Sequence, residues 1–141
     1  MAFWQGLLGN LSEVSVDSLI KEFGAYLMDG ETIQIGFKLI RDAVIITDQR
    51  ILTFDKQGTT GHKMRVHSIY LNTIYYVTAE TAGFGLDDSE LTVSYIVSPY
   101  LKSHSVEYAH RTFEFPKKYN IQNLYKMLQE LAYNNHMHLN A

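Results

Sequence analysis

The chain has 141 residues, a length that fits one domain. Hydrophobic residues make up 46% of it, enough to bury a core and so to exclude a disordered chain. A formal net charge of -3 and a pI near 6.0 argue against non-specific nucleic-acid binding and against a polybasic membrane anchor. The chain has no Cys, which excludes disulfides, thiolate metal sites and Cys nucleophile chemistry.

Residues 1–8 hold no Lys or Arg, so the start lacks the basic segment of a signal peptide. No run approaches the roughly 20 apolar residues that a spanning helix needs. The expectation is a soluble, cytoplasmic protein. Tyr is abundant, with 10 residues, and suits half-buried strands and interfaces, where the ring packs and the hydroxyl stays wet.

In chain order, residues 1–10 form an apolar arm. Phe3, Trp4, Leu7 and Leu8 fall at helical spacing, while Gly6 and Gly9 weaken a helix there. Three readings stay open: an arm folded back on the domain, a contact between subunits, or a wedge at a membrane interface. The last lacks the help of basic neighbours.

Residues 12–27 are predicted helical. Ser12 or Ser15 can cap the first amides, and Asp17 suits the positive end of the helix dipole. Val16, Leu19, Ile20, Phe23 and Leu27 follow the 3.6-residue period. The Asp29-Gly30-Glu31 turn then starts the strands.

Three short runs rich in Ile, Val, Phe and Thr follow, at residues 32–39, 43–47 and 50–55, with breaks at Ile40-Arg41-Asp42 and Asp48-Gln49. They read as an antiparallel meander. In the first, Ile33, Ile35, Phe37 and Leu39 are expected on one face. The unbroken run Ala43-Val44-Ile45-Ile46 suggests a second strand covered on both faces.

A fourth strand is predicted at 63–71, after a turn built on Gly58 and Gly61, and a fifth at 74–82 with Tyr75, Val77 and Ala79 on one face. The sixth alternates Leu91, Val93, Tyr95 and Val97 with Thr92, Ser94 and Ile96, and the seventh spans 106–115. After Pro116, residues 120–123 offer a capping start for a final helix. Ile121, Leu124, Tyr125, Leu128, Leu131 and Ala132 form its apolar stripe. Residues 134–141 are polar and are expected to fray.

The predicted fold is mainly β with α: an N-terminal helix, seven antiparallel strands and a final amphipathic helix. Two orthogonal sheets or a partly closed barrel, capped by that helix, accommodate seven half-buried strands.

The run GFKLIRDAVIITDQRILTFDKQGTTGHK resembles the core of the small single-domain bacterial pleckstrin-homology proteins. GLLGNLSEV near the start and ETAGFGLDDSELTV later resemble that family too, so the likeness covers nearly the whole chain. It implies a pleckstrin-homology-like fold over 1–141 as one domain, with arm and helix in 1–30, strands in 31–115 and a capping helix in 120–133. It also implies assembly into ring-like homo-oligomers, and it implies little about a ligand.

Eukaryotic domains of this fold often hold phosphoinositide head groups with basic residues around the first hairpin. Here Lys38, Arg41 and Arg50 are the candidates for an anionic head group. They are a thin supply beside Asp42 and Asp48, and the hairpin break is short. The plainer reading pairs Arg41 or Arg50 with Asp42 or Asp48, worth about 0–1 kcal/mol when exposed.

No metal site is expected. His136 and His138 are the tightest pair of six His, on a stretch expected to be mobile, and His62, His67, His104 and His110 do not reach three converging ligands. Asp87, Asp88 and Glu90 fall short of a calcium loop. Gly58-Thr59-Thr60-Gly61-His62-Lys63 joins two strands rather than opening a helix, so it is no phosphate loop. No nucleophile or dinucleotide motif is present, and no cofactor is expected.

What remains is surface: Phe3, Trp4, Leu7, Leu8, Tyr75, Tyr76, Phe84, Tyr100 and Leu101. The leading expectation is a non-enzymatic scaffold or interaction module that self-assembles into a homo-oligomeric ring and binds an unidentified protein partner. Phe3, Trp4, Leu7 and Leu8 would form the oligomer contact. The alternative is a peripheral membrane or phospholipid head-group-binding module.

Overall fold

The structure is a computed structural model. It describes residues 14–39, 42–57, 63–81, 88–116, 119 and 121–141. They fall into two compact units, within Met1–Tyr70 and Leu71–Ala141.

In the first unit, helix α1 (Val16–Phe23) is followed by a 3-10 turn, Gly24–Tyr26. Ser15 caps the helix: its Oγ accepts from the Ser18 amide at 3.2 Å. Asp17 lies in the first turn and Lys21 in the last, matching the dipole at both ends. The α-helix therefore ends earlier than expected, because the chain tightens after Phe23.

Four antiparallel strands follow in the order β1-β2-β3-β4: Ile33–Lys38, Asp42–Thr47, Arg50–Gln57 and Lys63–Tyr70. Leu19 and Phe23 are the buried residues of α1, whereas Val16 and Ile20 remain 38% and 48% exposed although they share the apolar period. Leu19 lies over Gly36 of β1 closely enough that a Cβ there would collide with it. The helix can approach the strand because Gly36 has no side chain. Phe23 packs on Phe54 with ring centroids 4.2 Å apart. Ile33, Ala43, Ile45 and Leu52 complete this cluster, and a fully buried side chain of this size is worth about 1.5–3 kcal/mol.

Ala43, Val44, Ile45 and Ile46 are all buried, as the unbroken apolar run suggests. The alternation in β1 departs from expectation. The register slips between Ile33, opposite Thr47, and Ile35, opposite Ile46. That bulge lets Ile33 join the α1 cluster, while Ile35 and Phe37 are buried outside it.

The second unit opens with a 3-10 turn, Leu71–Thr73, and a three-stranded antiparallel sheet ordered β5-β6-β7: Ile74–Glu80, Ser89–Ile96 and Tyr108–Phe115. Helix α2 (Gln122–Leu139) packs against β5. Leu91, Val93 and Tyr95 are buried as the alternation requires, but Ile96 is buried too and Val97 is 48% exposed. A bulge between Ile74 and Tyr76 puts both Ile74 and Val77 in the core. The simple Tyr75, Val77, Ala79 face therefore does not hold.

Helix α2 also corrects the sequence reading. Its N-cap is Ile121, with no side-chain cap, and the helix runs to Leu139 instead of fraying after 133. The reason is a tertiary contact. Asn135 is buried, and its Nδ2 donates to the carbonyls of Leu71 at 2.8 Å and Ile74 at 2.9 Å. Asn135 therefore belongs to the packed face of the helix, while Asn134 and His138 stay exposed. Among the described residues, the seven antiparallel strands, the leading helix and the trailing helix are those expected from the sequence.

Candidate functional site

Arg50 enters β3 straight after the 48–49 turn, and Gly30, with φ of 80°, turns Glu31 into β1. Their side chains meet. The Arg50 fork donates from Nε to Glu31 Oε2 and from Nη2 to Glu31 Oε1, each at 2.9 Å. Its other donors go to Ser68 Oγ and to the Tyr26 carbonyl, each at 2.8 Å. Thr47 Oγ1 donates to Glu31 Oε2 at 2.6 Å and accepts from the Arg50 amide at 3.0 Å. The Met28 amide donates to Glu31 Oε1 at 2.9 Å.

Burial pushes the Glu31 carboxyl up, but hydrogen bonds from Arg50, Thr47 and Met28, with the charge of Arg50, outweigh it. The net position is below the ordinary carboxylate value. The group is a structural clasp joining the 3-10 turn, the 28–31 turn, β2, β3 and β4.

That clasp decides where the basic candidates stand. The Arg50 side chain is 10% exposed, and its guanidinium already holds a carboxylate. Lys38 is exposed at the end of β1 and pairs with Glu22 of α1. The two do not converge. Ala43 lies opposite both Lys38 and Phe54, which places Lys38 level with a β3 residue four positions from Arg50, or about 13 Å of strand. Arg41 lies outside the described residues, as do Phe3, Trp4, Leu7, Leu8 and Phe84.

The second unit presents an aromatic surface. The Tyr75 ring stacks on His136 at 3.7 Å, meets Tyr76 edge-on at 4.8 Å and approaches Tyr108 at 5.8 Å. His136 Nε2 lies 2.9 Å from the Tyr75 carbonyl, so it is the donor and that ring nitrogen carries its proton. Tyr76, Tyr108 and Tyr100 are 58%, 50% and 77% exposed, and Tyr75 and Leu101 are half-buried. Burial pushes the Tyr75 phenol up, and the neighbouring Tyr76 and Tyr108 phenols add to it.

Among the described residues no three His, Asp or Glu side chains gather as a metal site would require. His110 Nδ1 instead lies 2.7 Å from Ser94 Oγ across the sheet. No helix among them is long and apolar enough to cross a membrane.

The bacterial PH domain family matches residues 2–132. The chain belongs to the bacterial pleckstrin-homology domain family. A crystal structure of a pleckstrin-homology domain from Shewanella amazonensis superposes with a TM-score of 0.63 at 32% identity, covering 92% of this chain and 98% of that one. A pleckstrin-homology-domain protein from Shewanella loihica gives 0.63 at 28%, covering 86% and 96%. A PH-domain-containing protein from Exiguobacterium sibiricum, at 22% identity and TM-score 0.66, shares the fold over 88% of this chain and 63% of its own. In sequence, the chain is 42% identical over 93 residues to the Bacillus subtilis protein called "Uncharacterized protein YjqA", which spans 66% of this chain and 74% of that one. Pleckstrin-homology domains are generally interaction modules.

Glu31, Thr47 and Asn135 had no part in the sequence reading of any site, and His136 was weighed only as half of a metal-ligand pair with His138. Glu31 is 19 residues from Arg50, and only the paired register of β1, β2 and β3 brings them together. The acceptors of Asn135 are backbone carbonyls, which leave no mark in a sequence.

Proposed function

We propose that this pleckstrin-homology protein is a non-enzymatic interaction module that assembles into a homo-oligomeric ring and binds protein partners. The observation that carries the reading is the exposed aromatic surface of the second unit, with Tyr76, Tyr100 and Tyr108 at least half open to water. Tyr is enriched at protein interfaces because its ring packs while its hydroxyl finds a partner. A contact between unlike patches on successive copies closes into a ring when the rotation per copy allows it.

Head-group binding has weaker support. Of the three basic candidates, Arg50 and Lys38 each face a carboxylate within their own unit. The test is the Tyr76→Ser, Tyr100→Ser double variant. It is expected to keep the circular dichroism of the parent and to run as a smaller particle, because both side chains are exposed. An unchanged particle size, or strong salt-sensitive sedimentation of the parent with phosphatidylserine vesicles, would count against the proposal.

A further inference from the structure

A cavity of about 500 Å³ opens in the second unit, between the β6–β7 connection and the C-terminal end of α2. That is within the size range of small-ligand sites. Its walls are the rings of Tyr75 and Tyr108 with the aliphatic side chains of Ile96, Leu101, Val106 and Leu139. Its polar groups are Lys102, Ser103, His104 and Asn140.

Three features narrow the ligand. No carboxylate lies among those lining residues, and Lys102 supplies a full positive charge. One edge therefore suits an anion, and a small one. Leu139 and Asn140 bring the C-terminal end of α2 into the lining, where backbone carbonyls are left over and favour an N–H donor. The Asn140 amide Nδ2 is itself committed to the His136 carbonyl at 2.8 Å, so that side chain offers its oxygen. The remaining lining residues, apart from Ser103 and His104, are aromatic and aliphatic.

The cavity is held in shape. Tyr75 is fixed by its stack on His136 and by the bond between His136 and its own carbonyl. The connection is closed at its base by the Val97 amide donating to the Glu107 carbonyl at 2.9 Å, and within it Ser103 Oγ accepts from the Ser105 amide at 3.2 Å and donates to the Ser105 carbonyl at 3.4 Å.

We infer that this cavity binds the free C-terminal residue of a polypeptide with an aromatic or large aliphatic side chain. The carboxylate meets Lys102, the amide N–H faces the end of α2, and the side chain lies against Tyr75 and Tyr108. The inference rests on the interaction-module reading but not on self-assembly, so a monomeric protein that binds the probe leaves it standing. It uses none of the basic residues of the first unit.

The test is titration of the full chain with N-acetyl-phenylalanine, followed by amide chemical shifts in two-dimensional NMR. Saturable shifts are expected at residues 96–108 and 136–141. N-acetyl-phenylalanine amide, which lacks the carboxylate, and 3-phenylpropionate, which lacks the N–H, are each expected to bind about tenfold or more weakly. Lys102→Met is expected to weaken the parent probe by a similar factor with an unchanged melting temperature, because Lys102 is exposed. Absence of saturation, or shifts mapping elsewhere, would overturn the assignment. So would equal binding of the amide, and equal binding of phenylpropionate would reduce the site to one for simple aromatic acids.

Discussion

Arg50 and Glu31 form a bidentate ion pair at 2.9 Å with side chains 10% and 1% exposed. Removing either partner leaves a buried charge alone, which costs about 3–5 kcal/mol. Arg50→Met and Glu31→Gln are each expected to lower unfolding free energy by that order in urea titrations. Arg50→Lys is expected to rescue little, since one ammonium cannot replace the fork that also reaches Ser68 and Tyr26. The double variant is expected to lose clearly less than the sum. Strictly additive losses would show that the pair is not coupled.

The same pair sets a pH dependence. The folded Glu31 carboxyl lies below its ordinary value of 4.5, so the unfolded chain binds the proton more readily. The stability this contributes is full above that ordinary value and is lost as pH falls through the lowered folded value. Unfolding midpoints of the parent are therefore expected to drop from about pH 4.5 downward. Glu31→Gln, less stable at neutral pH, is expected to show a shallower drop. Equal slopes in this acid window would contradict the assignment.

Gly36→Ala tests the contact between α1 and the sheet. The new methyl would meet Leu19, and although a leucine tip can move, this one is fully buried. Overpacking of this kind costs about 1–3 kcal/mol. Adding Leu19→Ala to Gly36→Ala is expected to cost less than Leu19→Ala alone implies, because the methyl then fills part of the vacated space. A neutral Gly36→Ala by thermal melting would mean that the helix retreats freely.

Asn135→Leu removes both side-chain donors from the Leu71 and Ile74 carbonyls. A buried acceptor left without a partner costs about 1–3 kcal/mol. The loss is expected to appear as faster amide exchange over the last turns of α2, while α1 is unaffected. Unchanged protection of residues 134–139 would show that the helix end does not depend on this side chain.

The strands were legible because their chemistry is local. Val44 and Leu52 sit in apolar runs, and Ile33, Val93 and Phe113 in apolar–polar alternations, all cut by turn residues, and such patterns report their own period. The bulges at Gln34 and Tyr75 were not legible, since a bulge is a matter of register between two strands. Residues 134–139 looked like a loose tail because Asn, His and Met read as polar or neutral. Yet Asn135 and His136 find carbonyl partners more than 60 residues away. Arg50 illustrates the same limit at the candidate site. A cation after a hairpin turn looks available for an anion until the partner from the turn before β1 is seen.

The most direct test of the proposed function is the solution mass of the chain, by light scattering at two well-separated concentrations. The account expects one mass, a fixed multiple of the 16.2 kDa chain, at both. A monomer at both concentrations would contradict self-assembly.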